Sequence, residues 1–114
     1  MNKADTLINE AEIDIKNKCF NKAVSASYFA VRKEIELLAR SLRSAIPKKD
    51  DKLINILKYL GKEELAVQAF YLYERRKDAD YSEIEINEEL AVNCINIAKK
   101  LINEIRKFIP LLKD

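Results

Sequence analysis

Histidine is absent from this chain of 114 residues, and that absence excludes more chemistry than any other feature of the sequence. The chain has no imidazole general base, no Ser-His or Cys-His nucleophile pair and none of the common imidazole ligands of zinc. Its single glycine excludes a glycine-rich phosphate loop. Any catalysis would have to use carboxylate, tyrosine, lysine or arginine side chains.

Long apolar runs are also missing. No stretch of about 18 apolar residues predicts a membrane span, and the N-terminal segment has no apolar core of a signal peptide, so we expect a cytoplasmic protein without membrane contact. Cys19 and Cys94 are the only cysteines, and both fall in helical patterns. We interpret them as small core residues and not as a disulfide or a redox pair.

The residues that are present favour helices. With one glycine, two prolines, 48% hydrophobic and 35% charged residues, the chain has few helix breakers and fits one domain over residues 1–114. The net charge of +2 is too small to indicate nucleic-acid binding by itself. Apolar residues at three- and four-residue steps predict helices over residues 2–18, 20–45, 53–60, 62–78 and 87–109.

Residues at the helix ends refine this prediction. Asp50 or Asp51 is expected to cap the third helix, Gly61 to end it in the left-handed region, and Asn87 to cap the last helix. The alternating residues 82–86 predict an extended connection. The wide apolar faces of residues 24–42 and 90–108, the latter closed by Phe108 before Pro110, place those two helices at the centre.

The stretch from Tyr71 to Tyr81, YLYERRKDADY, carries the most informative chemistry. At about 100° per residue, Arg76 falls on the apolar side of its helix, whereas Arg75 falls outside it, near Tyr71. An arginine on an apolar side is costly unless a carboxylate or an anionic ligand satisfies its donors. Two interpretations stay open: an intramolecular ion pair, with Asp80 or a glutamate of another helix, or a ligand site.

A metal site is the weaker alternative for the same region. The carboxylates of Asp78, Asp80, Glu83 and Glu85 are oxygen ligands, but a solvated acidic loop has the same composition. These acids also neutralise the neighbouring cations and reduce their attraction for phosphate. We therefore expect neither a metal nor another cofactor.

Two segments resemble a known family. SASYFAVRKEIELLARSL (Ser25–Leu42) and YERRKDADY (Tyr73–Tyr81) are similar to the two signature segments of HEPN domains, the "higher eukaryotes and prokaryotes nucleotide-binding" superfamily, and the resemblance extends over nearly the whole chain. It implies an all-α, up-and-down bundle of four to five helices. It also implies a homodimer in which two copies of the arginine motif meet across a cleft.

Many HEPN proteins are metal-independent ribonucleases with an arginine, four to six intervening residues and a histidine, and several are toxins paired with a minimal nucleotidyltransferase antitoxin. On this chain, four residues after Arg76 lead to Tyr81, and four after Arg75 lead to Asp80. Neither endpoint is histidine. A tyrosine with an ordinary pKa of about 10 and an aspartate near about 4 are both poor bases at neutral pH.

We therefore interpret the chain as a dimeric HEPN-type binding module for a nucleotide, RNA or a nucleotidyltransferase partner. The expected ligand-binding residues are those of the arginine stretch and of the facing central helix: Arg75, Arg76, Asp80, Tyr81, Tyr28, Arg32, Tyr71 and Tyr73. The alternatives are a toxin-type ribonuclease using Arg76 with Asp80 or Tyr81, and a purely structural, salt-bridged dimer seam.

Overall fold

Five α-helices make up most of the protein in a computed structural model, which describes residues 2–109. They are α1 (Lys3–Lys16), α2 (Phe20–Ser41), α3 (Asp50–Tyr59), α4 (Glu63–Tyr81) and α5 (Glu88–Phe108). None of the described residues lies in a β-strand. The predicted all-α helical bundle is confirmed. Within the described range, no helix combines the length and the apolar composition that crossing a membrane would require.

Helix α2 is the central element, as its wide apolar face predicts. It packs against each of the other four helices. Its stripe of large residues is fully buried: Val24, Tyr28, Val31, Ile35 and Leu38. Helix α5 packs against α1, α2 and α4 and buries Ala91, Cys94, Leu101 and Ile105. The side chain of Phe108 and the predicted stop at Pro110 lie outside the described residues.

The C-terminus of α2 differs from its prediction, because the helix ends at Ser41, four residues early and well before the proline. Arg43 adopts a left-handed conformation with φ 56°. Its N–H donates to the carbonyl of Arg40 (2.9 Å), and that of Ser44 donates to the carbonyl of Ala39 (3.2 Å). This pair of hydrogen bonds is the Schellman motif, formed here without the glycine that usually marks it.

The predicted aspartate cap of α3 is wrong. Lys49 occupies the N-cap position and provides no side-chain hydrogen bond, and Asp50 is already the first helical residue. The carboxylate of Asp50 is instead engaged by α2, as described below. The other end is as predicted, since Gly61 has φ 78° and follows the last residues of α3.

Helix α4 continues to Tyr81, three residues beyond the predicted end at residue 78. Residues 82–87 are not helical, as predicted, although the segment begins with a bend at residues 82 and 83. The Asn87 side chain accepts a hydrogen bond from the Leu90 N–H (2.8 Å), so the predicted cap is confirmed. The extra helical turn matters for the site, because it places Asp80 four helical positions after Arg76.

The two cysteines are both free thiols, as expected, but only one is a core residue. Cys94 is completely buried, and burial raises the pKa of its thiol to about 11. Cys19 is half-buried at the N-cap of α2, and its Sγ lies 3.6 Å from the carbonyl oxygen of Asn17. The prediction that Cys19 belongs to the core is therefore wrong, because a helix start leaves part of the side chain outside the packed interior.

Candidate functional site

Arg76 lies on the side of α4 that faces α2, and 17% of its side chain is exposed. Its guanidinium carbon is 5.0 Å from the ring centroid of Phe29 on α2 and 5.2 Å from that of Tyr81. Its Nε is 2.9 Å from Oδ2 of Asp80, and its Nη2 donates to the Tyr81 hydroxyl at 3.4 Å. The cation is thus enclosed by two aromatic rings and one carboxylate.

The ion pair with Asp80 balances the charge of Arg76, but it leaves part of the hydrogen-bonding capacity of the guanidinium unused. Nε of Arg76 is buried and forms no hydrogen bond with any described residue, although Oδ2 of Asp80 lies within ion-pair distance. The contact is therefore a close pair of charges in which the N–H is not aimed at the oxygen. The hydroxyl of Ser25 on α2 donates to the same carboxylate oxygen at 3.3 Å and so holds Asp80 from the other side.

Arg75 projects from α4 in a different direction, as the helical spacing predicts. Its guanidinium carbon is 5.1 Å from the ring centroid of Tyr71, and its Nε is 3.0 Å from Oδ2 of Asp78. This Nε is also buried without a hydrogen bond among the described residues. Arg75 does not pair with Asp80, so the two neighbouring arginines belong to two separate clusters.

Tyr28 and Arg32 form a third cluster around Asp50. The hydroxyl of the fully buried Tyr28 donates to Oδ1 of Asp50, and Nη1 of Arg32 lies 2.6 Å from the same oxygen. Arg32 also donates to the carbonyl of Lys48 (3.2 Å) and to Oε2 of Glu36 (3.2 Å). Burial and the carboxylate of Asp50 raise the pKa of Tyr28 above its ordinary value. These side chains hold the start of α3 against α2.

Tyr28 connects the Asp50 cluster with the Arg76 cluster. Its ring centroid is 5.4 Å from that of Phe29, which lies against Arg76, and 5.5 Å from that of Tyr73. The ammonium of Lys77 lies 4.7 Å from the Tyr73 centroid. The rings therefore form a continuous row between α2 and α4, with cations along it.

Three contributors to this site escaped the sequence interpretation: Ser25, Phe29 and Asp50. Ser25 and Phe29 both lie in the α2 segment that carries the family resemblance, and they sit one helical turn apart. Asking which α2 side chains face α4 would have identified them. The neighbouring sequence does not identify Asp50 as a partner of α2, because Arg32 and Tyr28 are 18 and 22 residues away in the chain.

The electrostatic surroundings of Arg76 are uneven. Residues 78–89 contain six carboxylates and no lysine or arginine. Two of these carboxylates, on Asp78 and Asp80, are paired with arginines. Over the described range, no group of three or more potential ligand side chains is placed to hold a metal ion. An anion would therefore approach Arg76 more easily from the Lys77 side than from the α4–α5 connection.

The chain is similar to one known protein family. A family model described as HEPN domain matches residues 1–108. A search of curated proteins finds no significant match.

Proposed function

Because this chain belongs to the HEPN domain family, a nucleotide- and RNA-related class of helical domain, we propose that it is a binding module for nucleotide or RNA with its site at Arg76. The observation that carries the proposal is the incomplete coordination of Arg76. A charged side chain lies between two rings with a buried N–H that no described residue accepts. Such a donor favours an added acceptor.

A phosphate group provides the acceptor that Arg76 lacks. Its oxygens match the planar fork of a guanidinium better than the single oxygen of Asp80 does in the present geometry. In this proposal the phosphate displaces Asp80, which stays held by Ser25.

The proposal includes a homodimer formed through the outer face of α4. Val67 and Tyr81 are 64% and 75% exposed, and each lies seven residues from Glu74 on opposite sides. An antiparallel α4–α4 contact centred on Glu74 would pack Val67 of one copy on Tyr81 of the other, twice, around a two-fold axis. Lys77, which pairs with Glu74, would offset the repulsion between the two glutamates. Because Arg76 lies on the side of α4 that faces α2, the interface would contact each arginine site through the Tyr81 ring that stacks on it.

The dimer is tested by sedimentation equilibrium of Val67→Glu at micromolar concentration. We expect the wild-type mass to be that of a dimer and the variant mass to be that of a monomer, because one charge would enter each of the two Val67–Tyr81 contacts. Ile13→Glu is the matched control, since Ile13 is 54% exposed on α1, away from α4. A monomeric wild type, or dissociation by both substitutions alike, would contradict this interface.

The resemblance also implies a nucleotidyltransferase partner, and we propose that it docks on residues 82–89, which carry four glutamates and lie beyond the Arg76 site. The acidic character of this segment suits a basic protein surface and disfavours RNA. Co-purification with a co-expressed nucleotidyltransferase should weaken with salt and with the pair Glu83→Gln and Glu85→Gln. Binding unaffected by both changes would rule out this surface.

Binding is favoured over cleavage because the two polar partners of Arg76, Asp80 and Tyr81, include no histidine. A gel shift and a cleavage assay on one labelled RNA at two salt concentrations separate the possibilities. We expect binding without cleavage by the wild type, loss of affinity of about tenfold or more for Arg76→Ala, and tighter binding for Asp80→Asn, which removes the competing charge. Arg75→Ala, on the neighbouring side of α4, should have the smaller effect.

The other outcomes assign the alternatives. Cleavage by the wild type that disappears in Arg76→Ala and in Asp80→Asn would make the protein a ribonuclease. Absence of any RNA or nucleotide binding, together with a large loss of thermal stability in Arg76→Ala, would leave a structural ion pair at the dimer seam.

A further inference from the structure

A second cationic surface lies toward the opposite end of α2 from the Arg76 site. Two adjoining cavities of about 410 and 490 Å³ share Asn2, Leu37 and Arg40 as lining residues. The first is also lined by Lys3 and Lys33, and the second by Arg106. We call these two cavities together the cationic groove.

Charge balance in the groove leaves free cations. Arg106 is paired with Glu34, and Lys33 is paired with Glu36, so these four residues largely neutralise one another. Lys3 and Arg40 are exposed, and no described carboxylate lies within ion-pair distance of either. The C-terminal carbonyls of α2 reduce the potential at Arg40, but the N-terminus of α1 adds positive charge at Lys3.

Further unpaired cations continue from the groove along the connection between α2 and α3. Arg43, Lys48 and Lys49 are exposed and have no ion-pair partner among the described residues. The carbonyl of Lys48 is held by Arg32, which places this connection beside the α2 side chains that line the groove. By contrast, the chain as a whole carries only +2, and residues 78–89 hold six carboxylates. The molecule is therefore electrostatically polarised, with positive charge at the groove.

This uneven distribution of charge favours one path for a bound single-stranded nucleic acid, from the Arg76 site toward the groove. Phe29, which stacks on Arg76, and Arg40 are 11 residues apart on α2, or about 16 Å at the rise of an α-helix. Lys77, with its ammonium over Tyr73, lies at the Arg76 end of that path. A mononucleotide cannot span such a distance, whereas a single strand of several nucleotides can. Phosphates would be repelled from the acidic segment and drawn toward the groove.

We infer that the cationic groove is a second phosphate-binding surface, which holds the backbone of a single-stranded RNA whose other end occupies the Arg76 site. The inference rests on the proposed function and specifies its ligand as a polynucleotide. An anionic membrane is the less suitable occupant, because the large hydrophobic residues exposed on the described surface include none that lines the groove. A bilayer would find no apolar anchor there.

The test compares two double variants of the full chain. Lys3→Ala with Arg40→Ala removes the two unpaired cations of the groove. Lys16→Ala with Lys22→Ala removes the same charge from the opposite ends of the same two helices, where both lysines are exposed without a described carboxylate partner. Each protein is titrated by fluorescence anisotropy against a uridine dinucleotide and a single-stranded RNA of about 16 nucleotides, the upper range of single-strand site sizes.

For the long RNA, we expect the groove variant to reduce the slope of log affinity against log salt by about 1.4, since each lost phosphate contact on a single strand contributes about 0.7. Its dinucleotide affinity should equal that of the wild type, and the control variant should match the wild type on both ligands. Arg76→Ala should weaken both ligands. Thermal melts of each variant verify that the bundle is folded.

Other results overturn the inference in distinguishable ways. An unchanged long-RNA slope in the groove variant, with Arg76→Ala still weakening both ligands, would remove the groove and leave the Arg76 site. Weaker dinucleotide binding by the groove variant would show that Lys3 and Arg40 already contribute to binding of the short ligand. That result would contradict a groove that only a longer strand reaches from the Arg76 site. If the wild type binds neither RNA, the proposed function itself fails. Binding to phosphatidylserine vesicles that depends on the groove, with RNA affinity unaffected, would assign the surface to membranes.

Discussion

The carboxylate of Asp50 accepts hydrogen bonds from two side chains of α2, those of Tyr28 and Arg32, and Tyr28 is the more deeply buried of the two. Tyr28→Phe keeps the ring in place but removes one donor to a charged acceptor. We expect the free energy of unfolding in urea to fall by about 2 kcal/mol, the usual contribution of a hydrogen bond to a charged group. Tyr59→Phe is the control, because Tyr59 is 89% exposed and should show no measurable change. Equal stability of the two variants would contradict a structural role for the Tyr28 hydroxyl.

Cys94 makes the stability depend on pH in the alkaline range. Burial raises the pKa of its thiol from 9.0 to about 11 in the folded protein. Above pH 9 the unfolded chain loses this proton first, so the unfolded state binds fewer protons and the free energy of unfolding decreases as pH rises. The slope is about 1.4 kcal/mol per pH unit until the folded-state pKa is reached, and stability is complete below pH 9.

Other groups titrate in the same range, so the measurement is a difference between variants. Urea unfolding of Cys94→Ala should show a weaker loss of stability from about pH 9 upward than the wild type does. Parallel pH curves for the wild type and Cys94→Ala would show that the buried thiol does not control this range.

At the scale of the helices, α2 and α3 end in the same way but with different residues. Arg43 and Gly61 both have a left-handed backbone, with φ 56° and 78°, and each donates its N–H to the carbonyl two residues before the C-cap. An L-residue pays a conformational cost in this region that glycine avoids. Arg43 is thus a strained version of the stop that Gly61 forms without strain.

The reciprocal substitutions test this comparison. Arg43→Gly should raise the free energy of unfolding by about 1 kcal/mol, and Gly61→Ala should lower it by about the same amount. A Cβ at Gly61 would have no atom within 4 Å, so the loss would be purely conformational. Thermal or urea unfolding of both variants provides the values. If Arg43→Gly gave no gain in stability, or Gly61→Ala gave no loss, the two helix ends would not be equivalent.

The helices and their burial were predictable because each depends on a repeating local pattern. The three-four seam of α5 and the stripe of α2 could be followed residue by residue, and the ends at Gly61 and Asn87 carry their usual residues. The end of α2 could not be predicted, because Arg43 is not a typical left-handed residue. The pairing of Asp50 with α2 could not be predicted either, since it joins residues that only the packed bundle brings together.

The candidate site was predictable in part for the same reason. Arg76 and Asp80 lie on one helix, so their ion pair followed from the spacing as one of two alternatives. Tyr28 and Arg32 were expected to line the same cleft, but the structure places them around Asp50 instead. Helical spacing shows which residues share a face. It does not show which residue of another helix contacts that face.

At the scale of the whole molecule, one polar network joins both ends of the described chain to its centre. The side chain of Glu34, in the middle of α2, is 2% exposed and accepts hydrogen bonds from Arg106 on α5 (3.0 Å) and from Asn2 (3.3 Å). Arg106 also contacts Asp5, and Asn2 and Asp5 form the capping box of α1. Hydrogen bonds from the Asn2 backbone and from Arg106 lower the pKa of Asp5.

Glu34 makes this network sensitive to the loss of its cation. Arg106→Ala would leave a buried carboxylate without an opposite charge, and we expect the free energy of unfolding to fall by about 3 kcal/mol. This is the lower end of the range for broken buried pairs, because 35% of the Arg106 side chain is exposed and water can reach the vacated space. Adding Glu34→Gln to Arg106→Ala should recover part of the loss, since a neutral amide needs no counter-charge.

Lys107→Ala is the control: its side chain is 71% exposed, and its surface pair with Glu104 should contribute about 0.5 kcal/mol or less. Urea unfolding of the four proteins decides the matter. A loss in Arg106→Ala no larger than that in Lys107→Ala would mean that Glu34 does not depend on Arg106, whereas recovery in the double variant would establish that the unpaired charge, and not lost packing, causes the instability.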